Sequence, residues 1–219
     1  MFKERMFHNP VMDFINTLCN LAALNAVFLI TCLPVITIGP ALAALYAVAM
    51  REARGEYGYL ARPYLRKFRE NLRPGIPAFL ILAALGAFLL FGLVFWLSIG
   101  TPLALAGAGL LAGALILWFL TVSYAFPLIA RFENTTARTL KNALRLALGN
   151  KWPTLALLAA DAFVLSLCLY LPFMKLFMAF AGFSCAAFGQ AYIFNRVFQP
   201  YEKTEENGGA ARPEINIQR

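Results

Sequence analysis

The chain has little charge, a single histidine and few cysteines, and each shortage excludes a class of protein. Only 14% of its 219 residues are charged, against about 25% in soluble proteins. His8 has no histidine, cysteine or carboxylate cluster beside it in sequence, so we predict no metal site. The thiols lie in apolar runs without a CxxC pair, which indicates buried free cysteines: Cys19, Cys32, Cys168 and Cys185.

Sequence motifs of catalysis are also lacking. The chain shows no Ser-His-Asp order, no nucleotide-binding loop and no paired carboxylates. Because an enzyme needs such a constellation, we expect neither an enzyme nor a bound cofactor.

Apolar residues dominate what is there. They make up 61% of the chain, and the mean hydropathy is +0.67, far above the soluble average. No stretch rich in Gly, Ser or Pro divides the chain, so residues 1–200 are predicted to form one membrane domain. The polar residues 201–219 are predicted to form a disordered cytoplasmic tail. The predicted fold is all-α, a polytopic transmembrane helical bundle.

The apolar runs predict about six spans, since a helix of about 20 residues crosses the hydrocarbon. The predicted runs are 11–33, 41–50, 77–98, 103–130, 153–170 and 175–198. The second is short, and it either crosses, extends through Arg51 to Gly55 or is partly re-entrant. We predict a crossing, because it places Lys3 and Arg5 on the same side as the other basic residues.

The basic residues predict the orientation of these spans. All but Lys175 of the 19 Lys and Arg residues fall into four clusters between the apolar runs. Since short loops rich in Lys and Arg stay cytoplasmic, both termini and all four clusters are predicted to be cytoplasmic. Topology and anionic lipid account for the net charge of +8, so we expect no nucleic-acid partner.

Two basic segments, 60–72 and 131–151, have the spacing of amphipathic helices. We predict that they form cytoplasmic elbow helices on the inner leaflet, the first ended by Pro74-Gly-Ile-Pro77. Asn71-x-x-Pro74 recurs as Asn150-x-x-Pro153, which indicates either an internal duplication or ordinary helix-boundary chemistry. The candidate surface for a partner or lipid consists of Arg62, Arg66, Lys67, Arg69, Arg73, Arg138, Lys141 and Arg145.

Polar residues inside the apolar runs are the candidate intramembrane site. Asp161 lies about 12 Å along its helix from Pro153, and Gln190 has a similar predicted depth on the next helix, so the two could meet. A membrane-embedded carboxylate indicates a proton, cation or sugar-hydroxyl site. It could equally be interhelical glue, bonded to Gln190 or Ser166. The first-span amides of Asn20 and Asn25 either line a polar cleft or bond neighbouring helices.

Three stretches resemble the YesL family: Leu33-Pro-Val-Ile-Thr-Ile-Gly-Pro-Ala-Leu-Ala-Ala-Leu-Tyr46, Tyr124-Ala-Phe-Pro-Leu-Ile-Ala-Arg-Phe132 and Leu140-Lys-Asn-Ala-Leu144. The resemblance covers nearly all of residues 1–200. It implies a multi-pass protein of the bacterial cytoplasmic membrane, often encoded beside sugar-uptake ABC transporters and glycan-degrading enzymes. It implies no established activity and no catalytic residue.

Three functions are therefore open. The leading hypothesis is an accessory or regulatory component associated with carbohydrate (ABC-type) uptake, whose basic surface contacts transporter components or the anionic inner leaflet. The alternative is a small membrane transporter or channel that uses the polar intramembrane residues. The second alternative is a structural or lipid-sensing membrane protein.

Overall fold

The computed structural model describes residues 10–55 and 60–202, and these contain helices and no strand. The helices are α1 (Pro10–Cys32), α2 (Ile38–Glu52), α3 (Ala61–Ile99), α4 (Pro102–Arg131), α5 (Thr136–Gly149), α6 (Lys151–Tyr170), α7 (Pro172–Phe177) and α8 (Phe183–Glu202). A 3-10 turn, Val35–Thr37, precedes α2, and a π-helix, Met178–Gly182, joins α7 to α8. The all-α prediction is confirmed.

Five helical stretches are long and apolar enough to cross a membrane: Val35–Glu52, Ala61–Ile99, Pro102–Arg131, Lys151–Tyr170 and Pro172–Tyr201. The part Thr17–Cys32 of α1 is a shorter apolar helix. Such a set of apolar helices makes the chain a multi-pass helical membrane protein.

The turn between α3 and α4 lies between the predicted apolar runs 77–98 and 103–130. Gly100 ends α3 with a φ of 72°, a left-handed conformation that glycine adopts without strain. The Thr101 hydroxyl then accepts a hydrogen bond from the Ala104 N–H, at 3.2 Å, and caps α4. Pro102 occupies the first turn of α4, where its missing N–H costs nothing.

The predicted end of the first basic helix at Pro74 is wrong. α3 is one helix of 39 residues that contains both Pro74 and Pro77. An internal proline costs a helix about 3 kcal/mol or more, and here tight packing against α2 opposes the break. Gly75 approaches Pro40 so closely that a Cβ on Gly75 would lie 2.8 Å from the Pro40 nitrogen. Sequence spacing within α3 could not reveal this contact.

α2 is the central helix of the bundle and packs against α3, α4 and α8. Its buried residues are Gly39, Pro40, Ala41, Ala43, Ala44, Leu45, Val48, Ala49 and Met50. Because Gly39 and the alanines of this set have small side chains or none, neighbouring backbones come close to α2. The contact of Gly39 with Gly75 places α2 beside the basic, N-terminal half of α3.

The apolar half of α3 pairs instead with α4. A Cβ on Gly86 would clash with the Trp118 ring, and a Cβ on Gly107 would clash with the Trp96 ring. Each tryptophan ring therefore packs directly against a glycine of the other helix. The Trp118 N–H donates to the Leu82 carbonyl at 2.8 Å. The remaining faces are exposed and apolar, as in Phe88, which suits contact with lipid.

α8 continues beyond the predicted end of the last span at residue 198. It includes Pro200 and ends at Glu202, so the first residues of the predicted tail are helical. The rest of that tail, together with Lys3, Arg5 and His8, lies outside the described residues.

Candidate functional site

The basic surface has its clearest form on α5, which is a separate helix as the sequence predicts. Thr139, Asn142 and Leu146 are buried against the bundle. On the other side the basic side chains are exposed: Arg138, Lys141 and Arg145. Positions i, i+3 and i+7 share one face of a helix, so three cations point the same way.

The leucines of α5 form a third face between the buried and basic ones. Leu140 and Leu144 are half-buried, and Leu148 is 51% exposed. A helix with leucines next to a row of cations has the amphipathic form of an interfacial helix. The segment is thus a separate amphipathic helix, as the sequence predicts.

The basic half of α3 presents the other part of the surface. Arg62, Arg66, Arg69 and Arg73 are exposed, and Lys67 is half-buried. An acidic residue interrupts this row, because the Glu70 carboxylate lies 2.6 Å from the Lys67 Nζ and 3.7 Å from the Arg66 Nε. Exposed pairs of this kind contribute little stability, but they reduce the local positive charge.

α3 and α5 are in contact with each other. The two basic segments therefore belong to neighbouring helices. We call the cations of these two segments the basic surface; all but the half-buried Lys67 are exposed, and the members are Arg62, Arg66, Lys67, Arg69, Arg73, Arg138, Lys141 and Arg145.

Asp161 and Gln190 meet, as their matched depth predicts. The Gln190 Nε2 donates to the Asp161 Oδ1 at 2.6 Å. The Tyr46 hydroxyl donates to the Gln190 Oε1 at 2.6 Å. A chain of two hydrogen bonds thus joins α2, α8 and α6, and Gln190 is its link. Sequence reasoning missed Tyr46, although a tyrosine inside an apolar helix usually bonds a polar partner when buried.

Asn25 lies at a different place and has a structural role. The side chain is fully buried, and its Nδ2 donates to the carbonyls of Met178, at 3.1 Å, and Ala179, at 2.7 Å. Its Oδ1 accepts from the Ser184 N–H at 3.2 Å. These bonds hold the π-helix, whose carbonyl pattern differs from that of an α-helix. The interhelical role is the one that the structure favours for Asn25.

Asn20 lines a cavity of about 450 Å³ between α1 and the start of α3. Within the described part of the chain, Ala23, Leu60, Ala61 and Arg62 also line it. The structure thus divides the predicted interior residues among three places, and it brings only Asp161 and Gln190 together.

One buried residue was not singled out as a site from the sequence. Asn71 is fully buried on α3, and neither its Nδ2 nor its Oδ1 has a hydrogen-bond partner within the described part of the chain. Its place in the repeated Asn-x-x-Pro was the only signal.

Comparison with known proteins gives one match. Residues 21–93 match a family described as "Protein of unknown function, DUF624". The matched part contains α2 and most of α3, including the close contact between Gly39 and Gly75. No curated protein and no solved structure matches the chain.

Proposed function

We propose that this chain is an accessory or regulatory membrane protein associated with carbohydrate (ABC-type) uptake, and that its basic surface is cytoplasmic and binds an acidic groove of a transporter component. The main support for this proposal is the position of the cations on α5. They are exposed, while the opposite side of the helix is buried. The link to carbohydrate uptake comes from the resemblance to the YesL family, with which the DUF624 match is consistent.

The chemistry of α5 supports a protein partner. Arg138, Lys141 and Arg145 project from a helix whose buried side fixes its position. Guanidinium groups form paired hydrogen bonds with carboxylates, which makes arginine suitable for an acidic groove. Charge complementarity also speeds the encounter and excludes basic surfaces.

The proposal predicts that charge reversal on α5 abolishes partner recovery. The tagged chain is purified in mild detergent from cells grown on an inducing carbohydrate, and the bound proteins are identified by mass spectrometry. We expect transporter components with the wild type and at least about tenfold less with Arg138→Glu/Lys141→Glu/Arg145→Glu, because like charges across an interface cost several kcal/mol.

The matched control reverses three exposed cations elsewhere, Lys151→Glu/Lys175→Glu/Arg196→Glu, and should retain the transporter components. Thermal unfolding of each variant verifies that α5 is still folded. Recovery of no transporter component with the wild type would contradict the proposal. Strong dependence of the chain on anionic lipid would then favour the structural or lipid-sensing function.

A second candidate function is a small transporter or channel, which the chain from Tyr46 through Gln190 to Asp161 favours. Asp161 is half-buried on α6, a helix whose buried residues are Thr154 and Leu157. A carboxylate at such a place is costly unless it has a use. The chain of hydrogen bonds would supply that use if Asp161 exchanged a proton or bound a cation.

Two substitutions at Asp161 separate transport from helix packing. Asp161→Leu removes the acceptor of Gln190 and should lower the free energy of unfolding by about 1–2 kcal/mol. Asp161→Asn keeps an oxygen acceptor and should leave that free energy nearly unchanged. In proteoliposomes, loss of ion or sugar flux in Asp161→Asn, whose stability is unchanged, would support transport through this site. Equal flux in wild type and Asn variant would contradict it.

A further inference from the structure

The unpartnered side chain of Asn71 marks a weak point in α3. Asn71 is 0% exposed, and neither its Nδ2 nor its Oδ1 has a hydrogen-bond partner within the described residues. A buried polar atom left unpaired destabilises the fold, because it loses its hydrogen bonds to water without gaining others. Buried polar groups are almost always satisfied, so an unsatisfied one in a native helix requires an explanation.

Two prolines weaken the helix at the same place. Pro74 and Pro77 lie inside α3 and have no N–H to donate. Each proline therefore removes one of the backbone hydrogen bonds between residues i and i−4 that a regular helix makes. About two turns of α3, from Asn71 to Pro77, thus contain two missing backbone bonds and an amide without a partner within the described residues.

The second Asn-x-x-Pro of the chain shows what this sequence does when the helix breaks. Asn150 has a φ of −108° and a ψ of 66°, which are not helical values, and it separates α5 from α6. Its Nδ2 donates to the Leu146 carbonyl, four residues earlier, at 3.1 Å. In the break, the asparagine amide is therefore used, whereas in the straight α3 it is not.

The length of α3 gives an independent reason for a break. A helix of 39 residues is about 58 Å long, roughly twice the thickness of the hydrocarbon. The part after Pro77 is long enough to cross by itself. The part before Pro74 carries Arg62, Arg66, Arg69 and Arg73, which are exposed and belong at the headgroups.

We propose that α3 has two states, the straight helix and an elbow that opens between Asn71 and Pro74 when the basic half binds anionic headgroups. In the elbow, the Asn71 Nδ2 donates to the Lys67 carbonyl, as the Asn150 Nδ2 does to that of Leu146. Binding to the leaflet thereby changes the angle between the basic half and the apolar half of α3. The device regulates the proposed basic surface, and to that extent it rests on the proposed function.

Distances between spin labels on α3 test the two states in the full chain. Labels at Leu65 and Leu90, both exposed, would be about 37 Å apart in the straight helix and about 28 Å apart in a right-angle elbow. The native cysteines are first replaced by alanine. In nanodiscs with about one-third phosphatidylglycerol we expect the shorter distance, and in phosphatidylcholine alone the longer one, because anionic headgroups attract Lys and Arg.

The control pair, Ile81 and Val94, lies within the apolar half and should stay about 20 Å apart in both lipids. A variant that favours the straight helix, Asn71→Leu/Pro74→Ala/Pro77→Ala, should show only the longer distance. A wild type that stays at the longer distance in anionic nanodiscs would overturn the two-state helix. Recovery of transporter components tests the proposed function separately, so either idea can fail without the other.

Discussion

Alanine in place of Gly39 is expected to lower the free energy of unfolding by about 3 kcal/mol, near the upper end of the usual cost of overpacking. A Cβ at this position would lie 2.5 Å from the Gly75 carbonyl oxygen and 2.7 Å from the Phe79 Cβ. The first of these atoms is backbone and cannot rotate away. The contact holds the central helix α2 against α3, so the substitution should destabilise the whole bundle.

The matched controls are two exposed glycines of α4. A Cβ on Gly109 or Gly113 would meet nothing within 4 Å. Alanine there should leave stability unchanged or raise it by up to about 1 kcal/mol, because alanine favours helix over glycine. Equilibrium unfolding in mixed micelles measures all three variants. Equal stabilities of Gly39→Ala and the α4 variants would show that α2 does not pack on α3 at this contact.

Leucine in place of Asn25 is the second change with a large expected effect, a loss of about 2–4 kcal/mol in the free energy of unfolding. The substitution leaves the carbonyls of Met178 and Ala179 and the N–H of Ser184 without their side-chain partner. Each such bond between membrane helices contributes about 0.6–1.7 kcal/mol. The three bonds together tie α1 to the π-helix.

Asn20→Leu on the same helix is the control for Asn25→Leu. Asn20 is half-buried and lines the cavity beside Arg62, so we expect a loss below about 1 kcal/mol, as at most positions without a buried network. The same unfolding measurement compares the two. A loss for Asn25→Leu no larger than that for Asn20→Leu would contradict the bonded role of Asn25.

The sequence was informative where a feature depends on neighbouring residues. Hydropathy predicted the hairpin of α3 and α4, since the break between the apolar runs 77–98 and 103–130 is a local signal. The meeting of Asp161 with Gln190 followed from equal depth on antiparallel helices, a one-dimensional argument that a membrane makes possible.

Features that depend on tertiary contacts could not be predicted in this way. Pro74 predicted a break, but Gly39 and Gly75, distant in sequence, pack together there and the helix continues. Asn25 has its partners in the π-helix and at the start of α8, more than 150 residues away in sequence, so its role required the fold. Two copies of one tetrapeptide pattern thus have different structures, because only the first packs against α2.

We propose that the basic residues of α3 and α5 share one cytoplasmic face. Single cysteines in a cysteine-free background, labelled in intact cells by a maleimide that cannot cross membranes, test this claim most directly. If this face is cytoplasmic, Thr101→Cys and Phe173→Cys should react in intact cells. Arg69→Cys and Lys141→Cys should react only after permeabilisation. Labelling of Lys141→Cys in intact cells, or opposite sides for residues 69 and 141, would contradict the account.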